Sequence, residues 1–374
     1  MSTINFINKI TEKTSVWEYL FNLQNRKPIV LYGMGNGADK ILNLCAEKNI
    51  KITDIFASDE FVRGHSFRGY EVKKLSEIKT LYKDFCIMTA FATRENSMIE
   101  KIQKLCEDYE LYSPNFPLFG EEYPDYGFFR ENIADAENAY NLLSDDISKE
   151  NYINIINFMI SGRLGYLKNI ESAKHDALDL LDLRDNLHYV DVGAYNGDTV
   201  FELSDYLYSK NINIKKITAF EPDKKNFAKL EKNLKERNLS DKYEIYNLGA
   251  WSEEKILYFD SKSGRNANFD DNAVNSKKSV EVCVNRLDNV LHIAQNSEVL
   301  IKYDVEGAEY EALTGAKDII KKYSPKLIVS LYHRNKDIFK LPLLINDINP
   351  NYKFYIRKHK YIPCWDLNLY AVPL

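Results

Sequence analysis

The chain has 374 residues, of which 45% are apolar and 28% charged, and its formal net charge is −5. This length exceeds one ordinary core and predicts two domains, while the interspersed charges argue against nucleic acid as a partner. The five cysteines lie far apart without metal-ligand spacing, so we expect reduced thiols in a cytoplasmic protein. The N-terminus lacks a signal-peptide core, and no apolar run reaches the about 20 residues of a membrane span.

The first part of the chain alternates between predicted strands and helices. The capping-box spacing of Ser15 and Glu18 predicts a helix near residues 15–25. The apolar run IVLY (residues 29–32) predicts a buried strand that leads through a glycine loop into a second helix. Two more strand segments, KITDIFAS and CIMTAF, follow in the same rhythm. This alternation predicts a Rossmann-like parallel α/β domain over residues 1–117.

A proline-rich segment marks the boundary of this domain. Three prolines within residues 112–126 interrupt the alternation, and the following stretch, residues 118–184, is predicted as a helical connector because its apolar residues recur at helical spacing. From His188 onward strands and helices alternate again, and two strands close the chain as a hairpin. We therefore predict a second α/β domain over residues 185–374, with a seven-stranded sheet and an antiparallel terminal hairpin.

The segment YVDVGAYNGD (residues 189–198) runs from an apolar strand into a glycine loop and then into a helix. Glycines permit close approach of a ligand, and a helix N-terminus offers unpaired N–H groups. The next strand ends on Glu221, thirty positions after Asp191, where an acid can bind both ribose hydroxyls of an adenosine. Tyr195 replaces the second glycine of a dinucleotide loop, which favours a sulfonium amino acid over a pyrophosphate.

Five segments in unbroken order carry a family resemblance: VDVGAYNGDT, AFEPDKKNFAKLEKNL, NLGAWSEE, LIKYDVEGAEYEALTGA and SLYH. They resemble the FkbM-type methyltransferases over about residues 185–374, although Tyr303 departs from the aliphatic residue usual in that family. The resemblance implies a class I methyltransferase fold, S-adenosylmethionine as methyl donor, and usually O-methylation of a sugar or a small natural product.

The resemblance also implies a donor site, position by position. Its residues are Asp191, Gly193, Asn196 and Gly197 in the loop, Glu221 on the ribose, and Gly249, Ala250 and Trp251 near the adenine. Trp251 has two open interpretations, because a tryptophan here either stacks on the base or belongs to the core.

Acids and a histidine follow the fourth and fifth strands of this half. Asp304, Glu306 and Glu309 cluster after one strand, and His333 follows the next. Since strand C-termini meet at the ligand crevice of an α/β sheet, we expect Asp304 and His333 to be catalytic and to flank the acceptor hydroxyl, with His333 as general base. The two glutamates have the alternative role of complementing a helix dipole. A divalent ion on Asp304 is possible in this arrangement, but no ligand spacing demands one, so no metal site is predicted.

A second glycine loop lies in the first half. Gly33, Gly35 and Gly37 follow a predicted strand, and Asp59 follows the next strand as a ribose-binding acid would. The motif predicts a site for a nucleotide or nucleotide-sugar, and RGHSFRGYEV resembles small Rossmann-like domains found beside sugar-modifying enzymes. The alternative is a degenerate domain used for docking or for assembly of a homo-oligomer.

Together these features predict a methyltransferase that modifies a hydroxyl of a sugar, a glycoconjugate or a nucleotide-sugar precursor, in polysaccharide biosynthesis. Two alternatives stay open. One is an NAD-linked oxidoreductase on a sugar nucleotide that uses both glycine loops, and the other is a non-catalytic nucleotide-binding scaffold. The polar residues 260–278 form a long strand connection and are predicted as a binding lid.

Overall fold

The computed structural model describes residues 6–59, 62, 64, 66–116, 118–120, 123–237, 242–260 and 279–374. The strand connection predicted as a lid falls on residues 261–278 and lies outside the described residues. Three sheets are present in the described part, with six, three and seven strands. No helix in the described ranges has both the length and the apolar character needed to cross a membrane.

The six-stranded sheet is formed by the first part of the chain. Its strands are β1 (Ile29–Tyr32), β2 (Asp54–Ala57), β3 (Ser66–Phe67), β4 (Tyr70–Lys74), β5 (Cys86–Thr89) and β6 (Glu110–Tyr112). Its helices are α1 (Val16–Leu23), α2 (Asn36–Glu47), α3 (Leu75–Leu81) and α4 (Asn96–Asp108). The order is β3-β4-β2-β1-β5-β6, and every neighbouring pair is parallel except the β3–β4 hairpin. The predicted parallel α/β sheet is confirmed.

Burial explains why the main strands of this sheet can be predicted from the sequence. Strands β1, β2 and β5 are buried along their whole length, so they appear as continuous apolar runs rather than alternating patterns. The side chain of Ser15 accepts a hydrogen bond of 3.2 Å from the backbone N–H of Glu18 and caps α1. The β3–β4 hairpin and β6 are not predicted from the sequence, because these strands are short and partly exposed.

Four helices lie between the two larger sheets in the order of the chain: α5 (Tyr126–Glu131), α6 (Ile133–Leu142), α7 (Asp146–Ser161) and α8 (Lys174–Asp179). The longest of them, α7, lies against the C-terminal part of the chain. Its Asn151 amide donates to the carbonyl of Ile356, and its Ser148 hydroxyl accepts from the N–H of the same residue. Helix α7 therefore packs on the edge of the C-terminal sheet.

The remaining strands are β7 (Leu187–Val192), β8 (Ile214–Phe220), β9 (Tyr243–Tyr246), β10 (Gly249–Ala250), β11 (Lys255–Asp260), β12 (Ser279–Asn285), β13 (Glu298–Tyr303), β14 (Lys326–Ser330), β15 (Tyr352–Lys358) and β16 (Leu367–Pro373). The remaining helices are α9 (Asp198–Ser209), α10 (Lys224–Glu236), α11 (Leu287–Val290), α12 (Glu309–Thr314), α13 (Lys317–Tyr323) and α14 (Asp337–Ile348). Strands β10, β12 and β11 form the small sheet.

The seven-stranded sheet has the order β15-β16-β14-β13-β7-β8-β9. Its terminal hairpin is confirmed, because β16 runs antiparallel to both β15 and β14. The antiparallel strand β16 lies second from the edge of the sheet, because it inserts between β15 and β14. Strands β7, β8, β13 and β14 are parallel, so their C-terminal ends share one side of the sheet.

The two larger sheets are joined by direct contacts. Thr93 and Ile362 exchange backbone hydrogen bonds of 2.8 and 2.9 Å. The amide of Asn115 donates to the side-chain oxygen of Asn335 at 3.0 Å, and the N–H of Phe119 donates to the carbonyl of His333 at 3.2 Å. The proline-rich segment, predicted only as a boundary, therefore lies against the C-terminal ends of the second sheet.

Candidate functional site

The loop between β7 and α9 is shaped by two glycines with left-handed backbone angles, Gly193 (φ 91°) and Gly197 (φ 88°). The N–H groups of Gly193 and Ala194 both donate to the carbonyl of Phe220 at the end of β8, at 3.0 Å. Asn196 is half-buried, and its side-chain oxygen accepts from the N–H of Asp198. The loop thus lies over the C-terminal ends of β7 and β8, where parallel sheets bind ligands.

Glu221 follows β8 directly and borders this loop. Its two carboxylate oxygens accept backbone hydrogen bonds of 2.8 Å, one from Tyr195 and one from Asp223. Only 6% of the residue is exposed, and this burial raises the pKa of Glu221 to about 7, against the lowering effect of the two N–H donors. The carboxylate is therefore fixed in direction and keeps lone pairs for the hydroxyls of a ribose.

Asp191 lies beneath the loop rather than on its surface. The residue is fully buried, and its Oδ2 accepts from the hydroxyls of Tyr189 and Thr199. Its Oδ1 has no hydrogen-bond partner among the described residues and lies 3.5 Å from the ammonium of Lys302. Asp191 therefore fastens the first turn of α9 to the sheet.

The three residues assigned to the adenine follow β9. Gly249 and Ala250 form β10, and Trp251 is half-buried with the ammonium of Lys255 5.2 Å from its ring centre. A Cβ on Gly315 would lie 1.9 Å from the carbonyl oxygen of Trp251, so this backbone is tightly packed from behind. One part of the tryptophan ring is therefore accessible to a ligand, and the other part packs against the small sheet.

A close contact joins the glycine loop to the acidic cluster. A Cβ on Gly193 would lie 2.0 Å from the carbonyl oxygen of Asp304, a distance that only glycine permits. The carboxylate of Asp304 accepts from the hydroxyls of Ser330 at 2.9 Å and Tyr332 at 3.0 Å. Burial raises the pKa of Asp304, but Lys302, His333 and these hydroxyls outweigh it and hold the pKa below its ordinary value.

His333 lies three residues beyond β14 and faces the same cluster. Its Nδ1 is 2.8 Å from Oε1 of Glu309, and its Nε2 is 3.6 Å from Oδ1 of Asp304 and 3.5 Å from Oε2 of Glu306. Burial lowers the pKa of His333, yet the three carboxylates raise it to about 9. The carboxylates around His333 therefore favour the protonated form of its imidazole.

Several residues of this cluster are absent from the sequence-based assignment. Lys302 lies between two carboxylates, 3.5 Å from Asp191 and 3.4 Å from Asp304. Phe119 comes from the proline-rich segment, and a Cβ on Gly307 would lie 2.7 Å from its ring. Both side chains reach the cluster only through the tertiary fold. The sequence signal available was the alternation of β13, which brings Lys302 to the same face as Asp304.

The first half contains a cavity of about 380 Å³ at its own glycine loop. Its lining residues include Gly33, Gly35 and Gly37, the hydroxyl residues Ser58 and Thr89, and Pro363 and Trp365 from the C-terminal half. A Cβ on Gly37 would lie 2.2 Å from the carbonyl of Ala90, whereas one on Gly35 would meet nothing within 4 Å. Gly37 therefore serves close packing, and Gly35 leaves room for a ligand.

Asp59 does not take the place predicted for it. Strand β2 ends at Ala57, two residues earlier than a ribose-binding position requires, and Ser58 lines the cavity instead. Asp59 is exposed and is not among the lining residues. The polar side chains among the described lining residues carry hydroxyl groups, the amide of Asn36 and the indole N–H of Trp365, and none carries a carboxylate.

Comparison with solved structures supports the fold. The crystal structure of methyltransferase FkbM from Methylobacillus flagellatus KT matches with a TM-score of 0.71 and 19% identity, over 99% of this chain and 93% of that chain. A precorrin-6y C5,15-methyltransferase from Geobacter metallireducens GS-15 shares 14% identity over 55% of this chain and 89% of that chain, with a TM-score of 0.32. No curated protein matches the chain.

Residues 191–361, in the C-terminal half of the chain, match the family model described as "Methyltransferase FkbM domain". This match, together with the fold, shows a methyltransferase enzyme. S-adenosylmethionine as the methyl donor follows from the family. Neither the NAD-linked oxidoreductase nor the non-catalytic scaffold describes this half.

Proposed function

We propose that the protein transfers a methyl group from S-adenosylmethionine to a hydroxyl of a sugar, a glycoconjugate or a nucleotide-sugar precursor. The observation that carries this proposal is the contact between Gly193 and Asp304, which brings the donor loop and the acidic cluster to one crevice. A hydroxyl acceptor has to lose a proton as its oxygen attacks, and an ionised carboxylate beside the donor loop suits that demand.

The donor is assigned to the loop and its neighbours. Glu221 holds the ribose hydroxyls, Gly193 and Gly197 leave space beside the backbone, and Trp251 borders the adenine. Asn196 and Asp191 support the loop from its two sides, and Gly249 with Ala250 completes the wall behind the base. These residues fit the donor because the loop carries no side chain at its two glycines, and the carboxylate of Glu221 is already aimed by two N–H groups.

S-adenosylmethionine supplies a methyl group bonded to a positively charged sulfur. The acceptor oxygen forms a new bond to this methyl carbon while the carbon–sulfur bond breaks, which leaves S-adenosylhomocysteine and an ether. Asp304 accepts a hydrogen bond from the acceptor hydroxyl and receives its proton or passes it to water. Alignment supplies most of the rate, because sulfonium is already a good leaving group.

We infer that Asp304 rather than His333 receives the proton, because the neighbouring carboxylates raise the pKa of His333 and a protonated imidazole cannot act as a base. In this proposal His333 orients the acceptor and the carboxylates around it. Glu309 fixes the ring through Nδ1, and the face toward Asp304 and Glu306 is left for the substrate side of the site.

The test uses a donor labelled with ¹³C in its methyl group. The full chain is incubated with this donor and a panel of sugars, nucleotide sugars and glycans, and the products are followed by NMR. We expect a new methyl ether signal correlated to a sugar carbon. A labelled methyl group on nitrogen or carbon, or no transfer to any hydroxyl compound of the panel, would contradict the proposal.

A second binding function is favoured by the cavity of the first half. We propose that it holds a nucleotide or a nucleotide-sugar against Gly35, at the N-terminus of the twelve-residue helix α2. The hydroxyl of Thr89 supports this, because it is buried, lines the cavity and has no hydrogen-bond partner among the described residues. Thermal-shift titration of the full chain against nucleotides and nucleotide sugars tests it, and no saturable stabilisation by any of them would refute it.

A further inference from the structure

Only one of the two ring nitrogens of His333 has a hydrogen-bond partner among the described residues. Its Nδ1 lies 2.8 Å from Glu309, whereas its Nε2 has no hydrogen-bond partner among the described residues, although the side chain is only 1% exposed. A buried polar atom without a partner costs free energy, roughly 1–3 kcal/mol. In the protonated ring Nε2 pairs with the carboxylates of Asp304 and Glu306, and a cation that replaces this proton would be bound by the nitrogen and both carboxylates together.

The distances around Nε2 match the spacing of donor atoms on a metal ion. Nε2 lies 3.6 Å from Oδ1 of Asp304 and 3.5 Å from Oε2 of Glu306. Two ligand atoms at about 2.1 Å from a tetrahedral cation lie about 3.4 Å apart. The distance from Nε2 to an oxygen of each carboxylate is therefore close to the spacing of two ligand atoms on one cation.

Neighbouring side chains hold Asp304 and His333 in position. Ser330 and Tyr332 donate hydroxyl hydrogen bonds to the carboxylate of Asp304 and fix its orientation. Glu309 accepts the N–H of Val305 at 2.9 Å on the same oxygen that faces Nδ1. A carboxylate on the far nitrogen of a histidine is the usual partner that orients a metal-binding imidazole.

The charge of the cluster also favours a cation. The carboxylates of Asp191, Asp304, Glu306 and Glu309 lie around the ammonium of Lys302 and the imidazole of His333. The side chains of Asp304 and Glu306 are 29% and 59% exposed, so a cation from solvent can reach them. Three protein ligands would leave such an ion an open position for water or for another ligand.

We propose that His333 Nε2, Asp304 and Glu306 bind one divalent transition-metal ion, with Glu309 holding the ring through Nδ1. A nitrogen ligand beside two carboxylates suits Mn²⁺ or Zn²⁺ better than Mg²⁺, which prefers oxygen ligands alone. Binding of the ion stands on this geometry. Its role, lowering the pKa of an acceptor hydroxyl at the open position, rests on the proposed methyl transfer.

The test measures binding without any acceptor. Metal-free full-length protein is titrated with Mn²⁺, and the free ion is followed by electron paramagnetic resonance, with Zn²⁺ as competitor. We expect one saturable site per chain that Zn²⁺ displaces. Absence of saturable binding of both ions would overturn the proposal, whereas failure of methyl transfer to hydroxyls with the ion bound would overturn only the proposed function.

Two variants locate the ion. Glu306→Gln removes the charge of a side chain that is 59% exposed, and it should weaken Mn²⁺ binding by about 10-fold or more. His333→Gln should abolish it. Glu311→Gln, which removes an acid of α12 outside the cluster, is the matched control and should leave binding unchanged. Unchanged affinity in Glu306→Gln, with the control also unchanged, would place the ion elsewhere and refute the site.

Discussion

Gly193 and Asp304 approach so closely that a Cβ on the glycine would lie 2.0 Å from the aspartate carbonyl oxygen. The N–H of Asp304 donates to the carbonyl of Val192, so the ends of β7 and β13 are joined by a hydrogen bond next to this contact. The glycine therefore does more than free the loop for a ligand. It fixes the donor loop and the acidic cluster to each other.

The first prediction concerns this contact. Gly193→Ala adds a methyl group that collides with the Asp304 backbone and forces an L-residue into a left-handed angle of 91°. We expect a loss of about 2–5 kcal/mol in the free energy of unfolding, measured by urea denaturation. Gly165→Ala, where a Cβ would meet nothing within 4 Å, is the control and should change little. Equal stability of the two variants would show that the contact is not rigid.

The second prediction follows from the raised pKa of Glu221, about 7 in the protein without ligand. The carboxylate form accepts both ribose hydroxyls, whereas the protonated form has to give up one acceptor position. The affinity for S-adenosylhomocysteine should therefore fall by about tenfold from pH 8 to pH 6. In Glu221→Gln the profile should be flat over this range. A pH-independent affinity in the wild type would remove Glu221 from the ribose.

The third prediction concerns Lys302, whose ammonium lies between Asp191 and Asp304. Replacing it by methionine leaves two carboxylates without their shared cation, one of them fully buried. Breaking such a pair costs about 3–5 kcal/mol, so Lys302→Met should unfold at a clearly lower urea concentration. Lys215→Met, which changes an exposed lysine on β8, is the control. A similar midpoint for both variants would mean that the buried charges compensate in another way.

The fourth prediction concerns the cavity of the first half. Thr89→Val removes a buried hydroxyl that has no partner among the described residues, so the free protein should keep or slightly increase its stability. The same change removes a hydrogen-bonding group from the cavity, and the affinity for the nucleotide ligand should fall by about 5-fold or more. Loss of stability without loss of affinity would show that Thr89 serves the fold instead.

Features formed by residues that are neighbours in the sequence could be predicted, whereas features formed by the pairing of strands could not. The glycine loop with Asp191 and the acid Glu221 can be recognised in the sequence because each lies at the end of an apolar run. Lys302 pairs in register with Asp191 across β13 and β7, and a lysine within a strand usually indicates an exposed face. The charge state of His333 depends on carboxylates that the fold brings together. Phe119 reaches the site from more than 180 positions before the cluster.

Calorimetric titration of the full chain with S-adenosylhomocysteine tests most directly whether the donor binds at this loop. We expect saturable binding to the wild type and an affinity about 30-fold weaker or more in Glu221→Ala, because two hydrogen bonds to one carboxylate are lost. Glu236→Ala, an exposed acid at the end of α10, should bind like the wild type. Unchanged affinity in a folded Glu221→Ala variant would contradict the placement of the donor.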